Sequence, residues 1–88
     1  MYQIITKATN IITKDVLYEG VKKEYESYWQ AARALKHAVQ YSKNTLHREC
    51  SSYRVPENYN ENIHAYVSWN HYGSSIRTTL YIKRVETD

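Results

Sequence analysis

Apolar and polar positions change their period along this chain, and each change marks an element. Tyr2-Gln3-Ile4-Ile5-Thr6-Lys7-Ala8 is rich in β-branched and aromatic residues and predicts a first strand. Ile11-Ile12-Thr13 fits either an extension of that strand or a long hairpin loop around Lys14 and Asp15, so residues 9–15 stay open between strand and loop. From Val16 to Tyr25 the alternation is looser, with Leu17, Val21 and Tyr25 separated by charged residues. This reads as a second strand, and Gly20 within it marks an expected bulge.

The period then changes to that of a helix. Ser27 suits an N-cap, and Gln30 completes a capping box with it. Tyr28, Ala31, Ala32, Leu35, Ala38, Val39 and Ser42 fall on one side, and Gln30, Arg33, Lys36, His37, Gln40 and Lys43 on the other. The buried stripe is mostly alanine, which lets the helix lie close to a sheet. Lys43 suits the C-terminal dipole, and Asn44 is the expected stop.

Residues 45–61 hold the only proline, Pro56, with Ser51, Ser52, Asn58 and Asn60. They predict a connecting segment longer than most loops in compact domains, either functional or poorly ordered. Tyr53 and Tyr59 are unusual in a plain linker. In the last third, Ile63, Ala65, Val67 and Trp69 alternate with His64, Tyr66, Ser68 and Asn70. His71-Tyr72-Gly73-Ser74 predicts a turn, with Gly73 supplying positive φ. Ile76, Thr78, Leu80 and Ile82 then alternate with Arg77, Thr79, Tyr81 and Lys83. The expected fold is a single α+β domain over residues 1–88, in the order β-β-α-β-β. It is a mostly antiparallel four-stranded sheet with one helix packed on one face, burying Leu35, Val39, Trp69, Leu80 and Ile82.

Composition thins this picture. Ile, Val and Leu number 17 and Phe is absent, which is low for a folded chain. Ten Tyr and two Trp offset the shortage, and a net charge of +3 is too small to hold the chain open. The single cysteine, Cys50, rules out an intrachain disulfide, although a small secreted domain with so thin a core is usually stapled. The N-terminus has no apolar run of signal-peptide type, and no stretch is apolar enough to span a membrane. These features point to the cytoplasm.

A pI near 9.0 permits nucleic-acid contact without requiring it, because most bases are interleaved with acids. The exception runs from Ser27 to Arg48, with four Lys and Arg side chains and no acid. Arg33 and Lys36 head the polar side of that helix. No helix-turn-helix pattern surrounds it, and a solvated face is the commoner origin of such a run. The outer face of the last hairpin carries more information. His64, Tyr66, Arg77, Tyr81 and Lys83 share it, and aromatics interleaved with bases suit stacked nucleobases and phosphates. The same mixture suits a protein contact, with Tyr53 and Tyr59 as further anchors. A solvated face where Tyr and Thr serve β-propensity alone is the plainer alternative.

Catalytic chemistry is poorly represented. His47 and Cys50 are spaced for one metal, but His64 and His71 fall on opposite sides of a strand, and structural zinc needs four ligands. Glu24 with Glu26, and Glu57 with Glu61, do not form an acid–base couple, and two glycines cannot build a phosphate loop. A non-enzyme without metal or cofactor is expected.

The strand pair, the helix Ser27-Tyr28-Trp29-Gln30-Ala31-Ala32-Arg33-Ala34-Leu35 and the closing hairpin together resemble small phage-encoded accessory proteins of the anti-CRISPR type. The richness in Tyr, Asn, Lys and Ile fits an AT-rich gene. The resemblance implies a stoichiometric inhibitor, acting in the host cytoplasm, that binds a CRISPR effector and blocks nucleic-acid loading or holds an unproductive state. It carries no residue roles. Many such proteins are acidic DNA mimics. A basic chain points instead to an acidic protein surface or a nucleic-acid-bearing complex. The expected function is therefore occlusion of a protein or ribonucleoprotein partner. A direct nucleic-acid-binding module is the alternative, and a phage structural or assembly subunit, self-associating through an open sheet edge, is a second.

Overall fold

A computed structural model describes residues 1–71 and 73–86. β1 (Tyr2–Asn10) and β2 (Val16–Tyr25) pair antiparallel through the loop 11–15. Asn10 builds that loop, its Oδ1 accepting the N–H groups of Ile12 at 2.9 Å and Thr13 at 3.0 Å. The Lys14 N–H closes it on the Asn10 carbonyl at 2.8 Å, and Lys14 takes a left-handed φ of +69°. The open question over residues 9–15 thus divides: Thr9 and Asn10 are strand, the rest is loop. No bulge lies at Gly20, which sits opposite Thr6 in register. The irregularities fall between Ile4 and Ile5 and between Ala8 and Thr9. Gly20 instead makes room for Tyr18, whose hydroxyl would lie 2.7 Å from any Cβ placed there.

α1 (Tyr28–Asn44) begins at the expected capping box. The Gln30 N–H donates to Ser27 Oγ, and the Ser27 N–H to Gln30 Oε1, each at 3.3 Å. Tyr28, Ala31, Ala32 and Leu35 are buried, and Ala38, Val39 and Ser42 are half-buried, so the expected stripe faces the sheet. Past the helix, His47 adopts a positive φ of +52°. The chain doubles back there, and the Arg48 N–H reaches the Ser42 carbonyl at 2.9 Å.

The sheet has five strands, one more than expected. β3 (Ser52–Arg54) lies inside the supposed connecting segment and pairs antiparallel with β4 (Tyr66–Asn70). Three residues are too few to show alternation, and the flanking serines read as loop. The pairing forms because it satisfies backbone groups along the edge of β4, aided by Ser51, whose N–H donates to the Ser68 carbonyl at 2.7 Å. β4 is also shorter than the alternating run from Ile63 predicts. Ile63 forms only an isolated bridge with Asn60, whose Oδ1 holds the Asn62 N–H in a turn.

β5 (Ile76–Arg84) follows a turn in which Gly73 takes φ +72° as expected. Tyr72 of that turn lies outside the described residues. β1 pairs with β5 from Tyr2↔Arg84 to Asn10↔Ile76, which joins the two hairpins into the order β2-β1-β5-β4-β3, antiparallel throughout. The core lies between this sheet and α1, where Leu35, Val67 and Ile82 are the largest fully buried side chains. Trp69, Leu80 and Ile4 join them, and Val39 packs at the margin. Tyrosines replace the missing phenylalanines at one end. The rings of Tyr2, Tyr28 and Tyr59 meet edge to face at 5.4–6.0 Å. The Tyr28 hydroxyl donates to the Pro56 carbonyl at 2.6 Å, which ties the segment after β3 to the helix.

Candidate functional site

Residues directly opposite in a sheet share a face, so register alone defines the surface turned away from the helix. Across β1, β5 and β4 that face carries Ile5–Tyr81–Tyr66, then Lys7–Thr79–Ser68, then Thr9–Arg77–Asn70. Tyr66, Arg77, Tyr81 and Lys83 therefore stand together as the alternation predicts. His64 precedes β4, but its ring meets Tyr81 edge-on at 6.0 Å.

All of these but Lys83 line a cleft of about 510 Å³. His64, Tyr66, Arg77 and Tyr81 form one side, and Lys7 and Lys14 the other, with Thr9 and Thr79 between them. Lys83 lies on the same face beside Gln3 but outside the cleft. Lys7 and Lys14 escaped the sequence reading. Lys7 has the parity of the open face, a signal that acquires meaning only when β1 is known to neighbour β5. Lys14 arrives through its loop and carries no such signal.

The cleft is electropositive. It gathers three permanent cations, and among the described residues no acid lines it. Glu19 reaches its border from β2, where the Tyr81 hydroxyl donates to Glu19 Oε2 at 3.0 Å. Burial, and then the bond and charge of Glu19, push the Tyr81 phenol above its ordinary range and keep it a neutral donor. Lys7 Nζ is 4.0 Å from the same oxygen, a loose pair that leaves its charge largely available. Arg77 is oriented by a 2.8 Å bond from its Nε to Asn70 Oδ1. Beneath, Ile5 is only 6% exposed, and the Ser68 and Thr79 hydroxyls bond at 2.9 Å, so the floor is packed rather than loose. Such a site can hold an anion between Lys7, Lys14 and Arg77 and place a flat ring against Tyr66, Tyr81 or His64.

The remaining expected contact residues lie elsewhere. Tyr53 pairs with Val67, which puts it on the helix side of the sheet, 64% exposed at the β3 edge. Tyr59 is half-buried in the tyrosine cluster, with the Arg84 guanidinium 5.8 Å from its ring, and serves packing. Arg33 and Lys36 are exposed on the outer side of α1, and Arg33 lies over the Trp29 ring at 5.4 Å. No single surface unites all nine. Among the described residues no three of His, Cys, Asp and Glu converge, and no helix is long and apolar enough to cross a membrane. Comparison with known proteins finds no matching family model, no matching curated protein and no matching solved structure.

Proposed function

We propose that the chain is a non-enzymatic binding protein that occludes a ribonucleoprotein partner, using the open sheet face as its contact surface. This is the mode implied by the resemblance to anti-CRISPR proteins. The observation that carries it is the cleft in which Lys7, Lys14 and Arg77 surround two tyrosines and a histidine with no lining acid among the described residues. Charge narrows the mode of occlusion. Channels that hold nucleic-acid strands are themselves basic, so an empty channel repels this face. A loaded complex, with phosphates still accessible, attracts it.

The test is capture by tagged protein from a lysate of its native host, with and without nuclease, using wild type, Arg77→Ala and Tyr66→Ala. Retention of a ribonucleoprotein by wild type and its loss from both folded variants is the expected result. Capture unaffected by either substitution overturns the role of the open face. A second reading, a module that binds nucleic acid directly, is favoured by the same acid-free cleft. Under it every partner disappears on nuclease treatment.

A further inference from the structure

A larger cleft lies on the opposite side of the sheet, where α1 leaves its helix-side face uncovered. Its volume is about 830 Å³, within the range of small-molecule sites. The floor is Leu80 and Trp69, and one wall is Ala34 and Ala38 of the helix. Tyr18, Tyr41 and Leu46 surround it, each more than half exposed. Isolated exposed apolar side chains need no explanation, but three converging on one concavity do.

The charged lining is all of one sign. Lys22 comes from the edge strand and Arg48 from the turn beyond the helix, and among the described residues no acid lines the cleft. Arg48 owes its position to the left-handed backbone at His47, which folds the chain back onto the last helical turn. His37 adds a further ring, while the His71 Nε2 is held by the Thr78 hydroxyl at 2.6 Å. An apolar floor rimmed by cations is complementary to a molecule with an apolar body and an anionic end.

We infer that this helix-side cleft is a binding site for a small amphiphilic organic anion, with its hydrocarbon or aromatic body on Leu80 and Trp69 and its carboxylate or sulfonate at Arg48 and Lys22. The site is separate from the open face and does not depend on the function proposed for it. A neutral apolar ligand leaves the cations unused, and a second copy of this basic chain brings like charge to the rim.

The test uses 8-anilinonaphthalene-1-sulfonate as the anionic probe and N-phenyl-1-naphthylamine as its neutral counterpart, each followed by fluorescence on the native protein. Expected is saturable sulfonate binding that moves the Trp69 indole N–H resonance. Arg48→Ala should weaken it about tenfold, which is ~1.4 kcal/mol, while the neutral probe changes by less than about twofold. Leu46→Glu, at an exposed position, adds an acid to the rim and should abolish sulfonate binding without unfolding the chain. The inference falls if sulfonate binding does not saturate, if both probes weaken equally in Arg48→Ala, or if Leu46→Glu binds like wild type. It also falls if the resonances of Leu46 and Tyr41 shift with protein concentration alone, because a second copy then fills the cleft.

Discussion

Removing one cation from the open-face cleft should change how binding responds to salt in a calculable way. Single strands release counterions with a slope of about −0.7 in log affinity per log salt for each phosphate neutralised. Lys7, Lys14 and Arg77 are the permanent cations lining the cleft. If each neutralises one phosphate, wild type should show a slope of about −2, a loss of about 20-fold between roughly 50 and 200 mM salt. Arg77→Ala should flatten the slope to about −1.4, a loss of about sevenfold over the same interval. Lys14→Gly should do the same. Glycine adopts its φ of +69° freely, so that substitution removes charge without straining the loop. Arg33→Ala, on the outer side of the helix, should leave the slope unchanged. The assay is fluorescence anisotropy of a labelled oligouridine across a salt series. A wild-type slope shallower than about −1, or one that neither open-face variant alters, refutes phosphate contact at this cleft.

Other predictions test the scaffold. Leu35 is 0% exposed and is the sole large aliphatic side chain that α1 buries completely, so Leu35→Ala should cost about 2–5 kcal/mol in urea unfolding; a loss below about 1 kcal/mol contradicts the core assignment. Ser27→Ala removes the capping box and should cost about 1 kcal/mol by the same method, with Ser27→Gly costing a few tenths. Gly73→Ala meets no steric obstacle but must hold a φ of +72°, and should cost about 1 kcal/mol. Tyr28 and Tyr81 are both raised above the ordinary value of 10.0, Tyr28 by burial and Tyr81 by burial and then Glu19. The unfolded chain gives up those protons first, so their stabilisation is present below the ordinary value and lost as pH rises through the raised ones. Ultraviolet difference absorbance should show Tyr28 and Tyr81 ionising late, and Tyr81→Phe should remove one of those two late components.

Local signals carried the fold as far as they reach. The capping box at Ser27 and Gln30, the alanine-rich stripe and the Gly73 turn each occupy a few neighbouring residues, and each appears in the structure as the sequence predicts. The misses are non-local. β3 exists because β4 offers it unpaired backbone, a fact absent from the residues Ser52 to Arg54 themselves. Lys7 enters the open-face cleft because the first strand pairs with the last, across most of the chain's length. Tyr59 looked like a contact residue because tyrosine serves both packing and binding. Its packing against Tyr2 and Tyr28, both far earlier in the chain, is the part that no local signal around Tyr59 shows.

Geometry explains why two clefts arise on so small a protein. Five strands about 4.8 Å apart make a sheet about 24 Å across, whereas a helix with its side chains spans about 10–12 Å. One helix therefore cannot cover the whole face: it packs on β1, β2, β4 and β5 and leaves part of that face open. Tyr53 stands on β3, and the larger cleft runs across β2, β1, β5 and β4 beside the C-terminal half of the helix. Among the described residues no helix packs on the other face of the sheet, so its alternate positions are free to carry Lys7, Arg77, Tyr66 and Tyr81. Open surface is thus a consequence of the architecture, and only side-chain chemistry distinguishes a site from a gap. By that measure the two clefts differ in kind. The open-face cleft sets aromatic rings among three cations, and the helix-side cleft sets two cations around an apolar floor. They lie on opposite faces of one sheet and share no lining residue. Substitutions at such separated sites add independently. Arg77→Ala should therefore leave sulfonate binding intact, Arg48→Ala should leave the oligouridine salt slope intact, and the double variant should show both defects at their single-variant sizes.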